Sequence, residues 1–373
     1  MTSSAAPLLT DLLRAVSRSF YLTMRVLPGK IRPQFGLAYL LARATDTIAD
    51  TEIVPVAQRL EALRDLRERI LGNRACPLDF SELARSQGAQ RKMLQHCEAA
   101  VHDIELSKIT EPAHSSNGSN AERLLLERIE EVLGVVSSFG ADDQQRIRDV
   151  LTIITSGQEL DLQRFGEAGG EHILALESDA ELDDYTYRVA GCVGEFWTKM
   201  CRANVFPSAR LDDAALLRDG VRFGKGLQLV NILRDLPRDL RQGRCYLPTE
   251  RLARVRLTPG DLLDPTKAAQ LRPVYDELLD TAEAHLAAGW GYTNSLPRSA
   301  ARVRLACAWP VLIGVKTLAR LRRENPLEAA RRVKVSRAEV RQIMSATLLR
   351  YPFAKSWAGL FERARMEREA LRR

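Results

Sequence analysis

Two pairs of aspartates in this chain have a spacing that suits metal binding. Asp46 and Asp50 lie four residues apart in "AYLLARATDTIAD", and Asp235 and Asp239 repeat that separation in "NILRDLPRDLRQGRCYLP". Residues four apart lie on one face of an α-helix. Carboxylate oxygens are preferred ligands of Mg²⁺, which commonly binds one or two of them together with substrate phosphates. The spacing therefore favours Mg²⁺-dependent chemistry on a phosphorylated substrate.

Each pair belongs to a longer polar stripe on a helix whose other faces are apolar. The first stripe consists of Tyr39, Arg43, Asp46 and Asp50. The second stripe consists of Gln228, Asn231, Asp235 and Asp239. Most acidic and basic runs of this kind are solvated helix faces with surface ion pairs. That interpretation predicts neither the apolar flanks nor the presence of two such stripes, so metal binding is the favoured interpretation.

Basic side chains accompany both stripes and could bind phosphate oxygens. They are Arg43, Lys225, Arg234, Arg238, Arg241 and Arg244. Guanidinium groups bind phosphate through two parallel hydrogen bonds. A diphosphate bridged to the protein by Mg²⁺ is a good leaving group, because the ion stabilises charge on the departing oxygens. Structural pairing of the arginines with the same aspartates is the alternative, and a substrate-free enzyme would show both at once.

The net positive charge of the chain is compatible with several classes of binding partner. The chain has 373 residues, a formal net charge of +7 and 45% hydrophobic residues. Such a charge suits nucleic acid, an anionic membrane surface or a phosphorylated substrate. The basic residues are spread along the chain without an aromatic-rich binding stripe, so we expect no nucleic-acid partner. Anionic substrates account for the charge, and peripheral contact with a membrane surface is left open.

Targeting and redox features favour a cytoplasmic location. We expect no signal peptide, since the N-terminus lacks a basic region followed by an apolar core. We expect no transmembrane helix either, because the longest apolar run, "LACAWPVLIGV", is too short to span a bilayer. The six cysteines form no CxxC pair and indicate scattered thiols in a reducing compartment.

Helical periodicity dominates the chain. Apolar residues recur at threes and fours in segments such as "AERLLLERIEEVL" and "PVYDELLDTAEAHLAA", and alternating β-branched strands are almost absent. We therefore predict an all-α protein. No long linker or fixed-period repeat divides the chain, so we expect a single domain over residues 1–373. Its core would cover about residues 10–350, followed by a charged helical C-terminal tail.

Four segments, in this order and at these separations, resemble the squalene and phytoene synthase family. They are "SRSF" at residues 17–20, "YLLARATDTIAD" at 39–50, "YTYRVAGCVGEFW" at 185–197 and "LQLVNILRDLPRDLRQGRCYLP" at 227–248. The resemblance implies an isoprenoid-synthase (class I terpenoid synthase) fold, in which helices surround a central cavity. It also implies head-to-head (1′-1) joining of two prenyl diphosphates through a cyclopropyl diphosphate intermediate.

The resemblance also implies roles for individual residues. The Mg²⁺-diphosphate ligands would be Asp46, Asp50, Asp235 and Asp239. The substrate-binding set would be Ser17, Arg18, Ser19, Phe20, Tyr39, Arg43, Gln228, Asn231, Arg234 and Arg244. Many squalene synthases have a tyrosine immediately before "VAG", where this chain has Arg188. Either Tyr187 or Tyr185 would substitute for it in catalysis, and ordinary core packing of these two tyrosines is the alternative. Pro237 lies between the aspartates of the second pair, and a kink there would move Asp239 off the helical face that Asp235 occupies.

The C-terminal third favours one branch of the family. "CAWPVLIGVKTLARL" followed by "RRVKVSRAEVRQIM" looks like squalene synthases, whereas bacterial phytoene and dehydrosqualene synthases usually end earlier. This branch implies that two farnesyl diphosphates are joined through presqualene diphosphate and reduced to squalene, with Mg²⁺ and NADPH as cofactors. No GxGxxG fingerprint is present, so NADPH would bind on the helical scaffold near Arg18 and Arg43.

Two alternatives to squalene synthesis stay open. Eukaryotic squalene synthases carry phenylalanines in the reductive pocket where this chain has Arg304 and Ala306. That difference favours a non-reductive enzyme, which would make dehydrosqualene, phytoene or presqualene diphosphate. The more remote alternative is a non-catalytic assembly factor, but such relatives tend to lose the aspartates, and all four are present here. The sequence leaves the length of the prenyl chain undetermined.

Overall fold

The described part of the chain folds almost entirely into helices, as its periodicity predicts. The structure is a computed structural model, and it describes residues 5–16, 24–86, 116–169, 172–329 and 333–366. Within these ranges the named strands are two segments of two residues each, β1 (Leu174–Ala175) and β2 (Arg244–Cys245). The predicted all-α fold class is therefore confirmed.

The chain divides into two compact units. Unit 1 comprises Met1–Arg25 and Gly29–Gln163, and unit 2 comprises Val26–Pro28 and Arg164–Arg373. The first aspartate pair belongs to unit 1 and the second to unit 2. The expectation of a single domain over residues 1–373 stays a prediction, since compact units of this kind can belong to one domain or to two.

Six of the helices in the described ranges belong to unit 1, and the last of them ends just beyond its boundary. They are α1 (Ala5–Val16), α2 (Arg32–Ala49), α3 (Val56–Leu71), α4 (Ser116–Glu127), α5 (Ile129–Gly134) and α6 (Ala141–Phe165). Helix α2 packs against α1, α3, α4 and α5. Its central position explains why it is apolar on most of its faces.

Helix α2 carries the first aspartate pair, and its packing limits where the polar residues can lie. The residues predicted to fill its apolar faces are all fully buried, namely Leu37, Leu40, Leu41, Ala44 and Ile48. Proline in the first turn suits the beginning of a helix, where no backbone donor is needed. At the other end, the buried Arg59 donates a hydrogen bond of 2.6 Å to the Ala49 carbonyl. A cation at a helix C-terminus also offsets the helix dipole.

Unit 2 contains the remaining helices. They are α7 (Asp179–Thr186), α8 (Cys192–Asn204), α9 (Asp213–Arg241), α10 (Thr249–Arg254), α11 (Ala268–Ser295), α12 (Ala301–Leu321), α13 (Arg337–Arg350), α14 (Ala354–Ala358) and α15 (Leu360–Met366). Helix α9 packs against α8, α11 and α12. The buried Tyr275 hydroxyl on α11 donates a hydrogen bond of 2.8 Å to the Leu233 carbonyl on α9. This contact fixes the two longest helices of the unit to each other.

Glycines allow α8 and the turn before it to approach α9 unusually closely. A β-carbon at Gly194 on α8 would overlap the Gly220 carbonyl on α9. One turn further along α9, a β-carbon at Gly224 would overlap the Ala190 carbonyl of the π-helical turn Tyr187–Gly191. The small residues of "VAGCVG" therefore have a packing role, because any side chain at these positions would separate the two backbones.

Helix α9 continues through Pro237 to Arg241, so Asp239 lies one turn after Asp235 in the same helix. The Pro237 carbonyl accepts a hydrogen bond of 3.1 Å from the Arg241 guanidinium. The proline removes one backbone donor but does not end the helix. Among the described helices, none is both long and apolar enough to cross a bilayer.

We expect the close approach at Gly194 to be essential for stability. Gly194→Ala should lower the free energy of unfolding by about 3 kcal/mol or more, because overpacking against a backbone carbonyl cannot relax through a side chain. The control is Gly291→Ala on α11, where no atom lies within 4 Å of the added β-carbon. It should raise the free energy of unfolding by about 0.5–1 kcal/mol through helix propensity alone. Urea denaturation followed by circular dichroism would measure both, and equal effects of the two substitutions would contradict the packing argument.

Candidate active site

Asp46 is held in place by a side chain that the sequence analysis did not single out. Its carboxylate accepts a hydrogen bond from the Gln158 side-chain amide on α6. The Asp46 side chain keeps 44% of its surface exposed, whereas Gln158 as a whole is 7% exposed. Within the described part of the chain, the buried Gln158 Oε1 atom has no hydrogen-bond partner. Gln158 thus fixes one oxygen of Asp46 and leaves an amide oxygen beside it.

Arg43 contributes only part of the charge that would balance Asp46. Its guanidinium binds Glu122 on α4, and its Nη1 atom lies 3.9 Å from the Asp46 Oδ2 atom. Burial, together with the nearby Asp50 carboxylate, raises the pKa of Asp46 to about 7, although Arg43 and Gln158 oppose the change. Asp46 is therefore a partly desolvated acid whose charge Arg43 and Gln158 offset only in part. Such a site fits a divalent cation.

Tyr39 lies on the same helical face as this pair. Its hydroxyl is 3.5 Å from the Val16 carbonyl at the end of α1. Burial raises the pKa of Tyr39, although the neighbouring Arg43 opposes the change. The hydroxyl therefore stays protonated at neutral pH.

The second pair has a different electrostatic arrangement. Arg234 Nε and Nη2 donate to the two oxygens of Asp235, at 3.0 and 2.5 Å. This is the two-bonded fork that guanidinium groups form with carboxylates and equally with phosphates. Asn231 lies one turn before Asp235 and Gln228 lies two turns before it, and their side-chain amide groups are 3.4 Å apart. The structural pairing that the sequence left open is thus present for Arg234.

Asp239 lies in the last turn of α9, and Arg244 is positioned by the turn that follows this helix. Burial raises the pKa of the Cys245 thiol to about 12. The nearby Asp239 carboxylate contributes to this rise, so the two side chains lie close together. Gly243 has φ = +79°, and a β-carbon there would overlap the backbone of Gly169. The turn therefore requires glycine, and it places Arg244 in the parallel pairing of β2 with β1.

Tyr187 lies at the start of the π-helical turn before α8. Its hydroxyl is 3.2 Å from Glu195 Oε2, and the Lys225 Nζ atom is 5.8 Å from its ring centroid. Lys225 also binds Asp183 at 2.6 Å. Burial raises the pKa of Tyr187, and Glu195 raises it further. A role for Tyr187 in catalysis stays a prediction.

Arg188 and Tyr185, which lie near Tyr187 in sequence, contact other residues. Arg188 forms an ion pair with Asp184, at 2.8 Å, and its side chain is 35% exposed. Tyr185 stacks on Tyr246 with ring centroids 4.6 Å apart. Of the remaining predicted residues, Ser17, Arg18, Ser19 and Phe20 lie outside the described residues.

Comparison with known proteins decides the family. Residues 13–339, more than half of the chain, match the family model for squalene/phytoene synthases. The chain belongs to the squalene/phytoene synthase family. The match runs through both compact units, and it includes every predicted site residue. Members of this family are prenyltransferases of isoprenoid biosynthesis that act on prenyl diphosphates.

Several relatives in the family differ in their reactions. A bifunctional lycopene cyclase/phytoene synthase of Aspergillus oryzae is 27% identical over 73% of this chain and 40% of that protein. A presqualene diphosphate synthase of Rhodopseudomonas palustris is 27% identical over 76% of this chain and 77% of that protein. A squalene synthase of Schizosaccharomyces pombe is 23% identical over 90% of this chain and 63% of that protein. The chain thus spans less than half the length of the bifunctional relative.

Solved structures share the helical fold. TcSQS in complex with a ligand is 21% identical to the chain, with a TM-score of 0.69 over 98% of this chain and 99% of that one. A dehydrosqualene synthase in complex with a ligand is 19% identical, with a TM-score of 0.58 over 91% of this chain and 94% of that one. At these identities the similarity concerns the fold, and it agrees with the fold class expected from the four motifs.

The side chains of the described residues do not by themselves form a complete metal site. Across the described ranges, no three His, Cys, Asp or Glu side chains are grouped so that they could hold a metal ion. Mg²⁺ does not require such a group, because it is commonly bound by one or two carboxylates with substrate phosphates and water. The first pair fits this chemistry through Asp46, whose raised pKa reports unbalanced negative charge beside Asp50.

We expect Asp46 to destabilise the fold at alkaline pH when no cation is bound. In the unfolded chain its pKa is about 3.9, so the folded state, with the higher pKa, loses stability as pH rises from that value through about 7. Asp46→Asn removes this effect and keeps an acceptor for Gln158. In buffer without Mg²⁺, the variant should melt at a higher temperature than the original chain at pH 8, and the difference should shrink towards pH 5.

The matched control is Asp149→Asn on the exposed face of α6, where Asp149 accepts a hydrogen bond from Gln145. It should leave the melting temperature unchanged at both pH values. Added Mg²⁺ should raise the melting temperature of the original chain at pH 8 more than that of Asp46→Asn. A melting temperature difference between Asp46→Asn and the original chain that is the same at pH 5 and pH 8 would contradict the charge argument.

Proposed function

We propose that this protein is a squalene synthase, which joins two farnesyl diphosphates through presqualene diphosphate and reduces the product to squalene. The reaction would depend on Mg²⁺ and NADPH. The observation that carries the proposal is Asp46, a carboxylate with a raised pKa beside Asp50, on a helix whose other faces are buried. The similarity to proteins named squalene synthase and presqualene diphosphate synthase supports it.

In this proposal Asp46 and Asp50 hold Mg²⁺ together with a diphosphate, and Asp235 and Asp239 do the same from the second stripe. The ion, when bound, stabilises negative charge on the departing diphosphate. Gln158 acts as a positioning residue, since it holds one Asp46 oxygen and leaves the other side of the carboxylate exposed. The bound ion would supply the positive charge that Arg43, engaged with Glu122, supplies only in part.

Arg234 would exchange partners during binding. Its fork now holds Asp235 in two hydrogen bonds. If Asp235 turns to a metal ion, the same donors become free for diphosphate oxygens, whose geometry the fork matches equally well. Arg244, which follows the turn after α9, would add a second guanidinium. This exchange would pair the Arg234 guanidinium with Asp235 before substrate binds and with diphosphate afterwards.

The tyrosines suit a site where carbocations form. Burial raises the pKa of Tyr39 and of Tyr187, so both hydroxyls remain protonated at neutral pH. An aromatic face stabilises a cation. A protonated hydroxyl is a much weaker nucleophile than a phenolate, which would capture the cation. Both residues could therefore line the path of the reaction without ending it prematurely.

A second candidate function omits the reduction. Arg304, at the place where the family resemblance implies a phenylalanine, is 5% exposed and donates to Asn294 Oδ1 at 3.0 Å. Its guanidinium lies 5.6 Å from the Tyr351 ring centroid and 5.3 Å from that of Trp357. A cation buried among aromatic rings replaces an apolar pocket wall. This observation favours a product made without NADPH, namely presqualene diphosphate or dehydrosqualene.

Product analysis distinguishes the two candidates. The protein is incubated with farnesyl diphosphate and Mg²⁺, with and without NADPH, and the extracted lipids are identified by mass spectrometry. We expect squalene only when NADPH is present. Presqualene diphosphate or dehydrosqualene in the presence of ample NADPH would replace the squalene proposal with the non-reductive one. Preferential use of geranylgeranyl diphosphate in a parallel reaction would exclude both assignments that rest on farnesyl diphosphate.

The aspartate pairs are tested separately. Asp46→Asn and Asp235→Asn should each lower turnover by at least about 100-fold, since each removes a charged metal ligand. Asp149→Asn, an exposed substitution of the same kind, should keep full turnover. Retained turnover in either site variant would remove that pair from the mechanism. A cellular function that survives both site substitutions would instead favour the assembly-factor alternative.

A further inference from the structure

Three exposed apolar side chains cluster at the C-terminal end of α13. Leu348 is 53% exposed, Leu349 is 74% exposed and Phe353, four residues later, is 65% exposed. The other large apolar residues that are exposed in the described ranges are separated in sequence, and single exposed residues of that kind are ordinary. We call Leu348, Leu349 and Phe353 the apolar tip.

The apolar tip is held rigidly. The Phe353 amide donates to the Arg350 carbonyl at 3.0 Å, so a hydrogen-bonded turn connects Phe353 to the last residue of α13. Arg298, from the turn between α11 and α12, donates to the Tyr351 and Pro352 carbonyls at 3.2 and 2.9 Å. The exposure of the tip therefore does not come from loose packing.

Buried residues next to the apolar tip in sequence contact other helices of unit 2. Thr347, next to Leu348, accepts a hydrogen bond of 2.9 Å from the Trp309 indole on α12. Trp357, on α14, stacks on Trp290 with ring centroids 5.5 Å apart. The chain has apolar and aromatic residues on the inner side of this segment and still leaves three more apolar residues outside. A surface of this kind requires a partner that is itself apolar.

The charged residues that lie near the apolar tip in sequence are all basic. Residues 340–361 contain no aspartate or glutamate, and their charged residues are Arg341, Arg350 and Lys355. Arg341 lies two turns before Leu348 on the same face of α13 and is exposed, as is Lys355. Arg298 adds a further cation at the turn. Apolar residues at the centre with cations at the edge match the surface of an anionic bilayer, where headgroups cover a hydrocarbon layer.

We propose that the apolar tip inserts into the surface of an anionic lipid bilayer, with Arg298, Arg341, Arg350 and Lys355 contacting the headgroups. The proposal concerns binding alone and does not depend on the reaction assigned above. If that assignment holds, the contact would also bring the protein to the only phase in which a long hydrocarbon product dissolves.

Vesicle flotation tests this surface with the full chain and no substrate. Vesicles of phosphatidylcholine alone are compared with vesicles of equal parts phosphatidylcholine and phosphatidylglycerol. We expect the chain to float with the anionic vesicles and to remain at the bottom with the neutral ones. The triple variant Leu348→Ser, Leu349→Ser, Phe353→Ser should bind anionic vesicles at least about tenfold more weakly, since it removes apolar surface from the interface.

Two further variants separate the apolar and the charged contributions. Leu263→Ser changes an apolar residue that is 45% exposed but isolated, and it should bind as the original chain does. The double variant Arg341→Gln, Lys355→Gln should bind more weakly and respond less to added salt, because it removes two attractions to headgroups. Melting temperatures would establish that all variants are folded.

Three outcomes would overturn the proposal. The first is that the original chain fails to float with anionic vesicles. The second is that the triple variant floats as the original chain does. The third is that size-exclusion chromatography shows a dimer for the original chain and a monomer for the triple variant, which would assign the apolar tip to a second copy of the chain.

Discussion

A carboxylate pair on a helix that is otherwise buried is the constraint on which this structure depends. Helix α2 contacts four other helices, so its polar face is confined to one side, and the desolvation there raises the pKa of Asp46. The fold keeps this costly arrangement and adds Gln158 to orient one oxygen. A desolvated carboxylate whose charge is only partly offset favours the binding of a cation. Binding of a diphosphate through Mg²⁺ depends on carboxylates that favour a cation.

The two aspartate pairs meet the same requirement in different ways. In unit 1 the basic residue of the stripe, Arg43, is engaged mainly with Glu122, and Asp46 keeps a raised pKa. In unit 2 Arg234 neutralises Asp235 directly through a two-bonded fork. In the proposed reaction the first pair would receive a cation, and the second would provide a cation and an anion that substrate separates. The glycine contacts of α9 with α8 and Ala190 support this second arrangement, because they fix the helix that carries it.

The basic residues of this chain differ in whether acidic residues lie near them. Many arginines pair within the protein, as Arg320 does with Glu339 at 2.6 Å. Around the apolar tip, by contrast, the chain itself supplies cations over 22 residues without an acidic residue. A net charge of +7 alone fits nucleic acid, lipid or phosphate. Only the local composition beside exposed leucines and a phenylalanine favours a lipid surface.

The sequence by itself determined the helical fold class, the faces of α2 and the family, because periodicity and motif spacing are local properties of the chain. The predicted apolar residues of α2 are all buried. The match to the family model includes the four segments whose sequences resemble the family. Tertiary structure decided what spacing cannot encode, because contacts between residues far apart in the chain exist only after folding. Gln158 reaches Asp46 across 112 residues, Arg43 turns to Glu122 across 79, and Arg304 lies among aromatic rings instead of on a surface. The same holds for Pro237, since packing of α9 against its neighbours outweighs the tendency of an internal proline to end a helix.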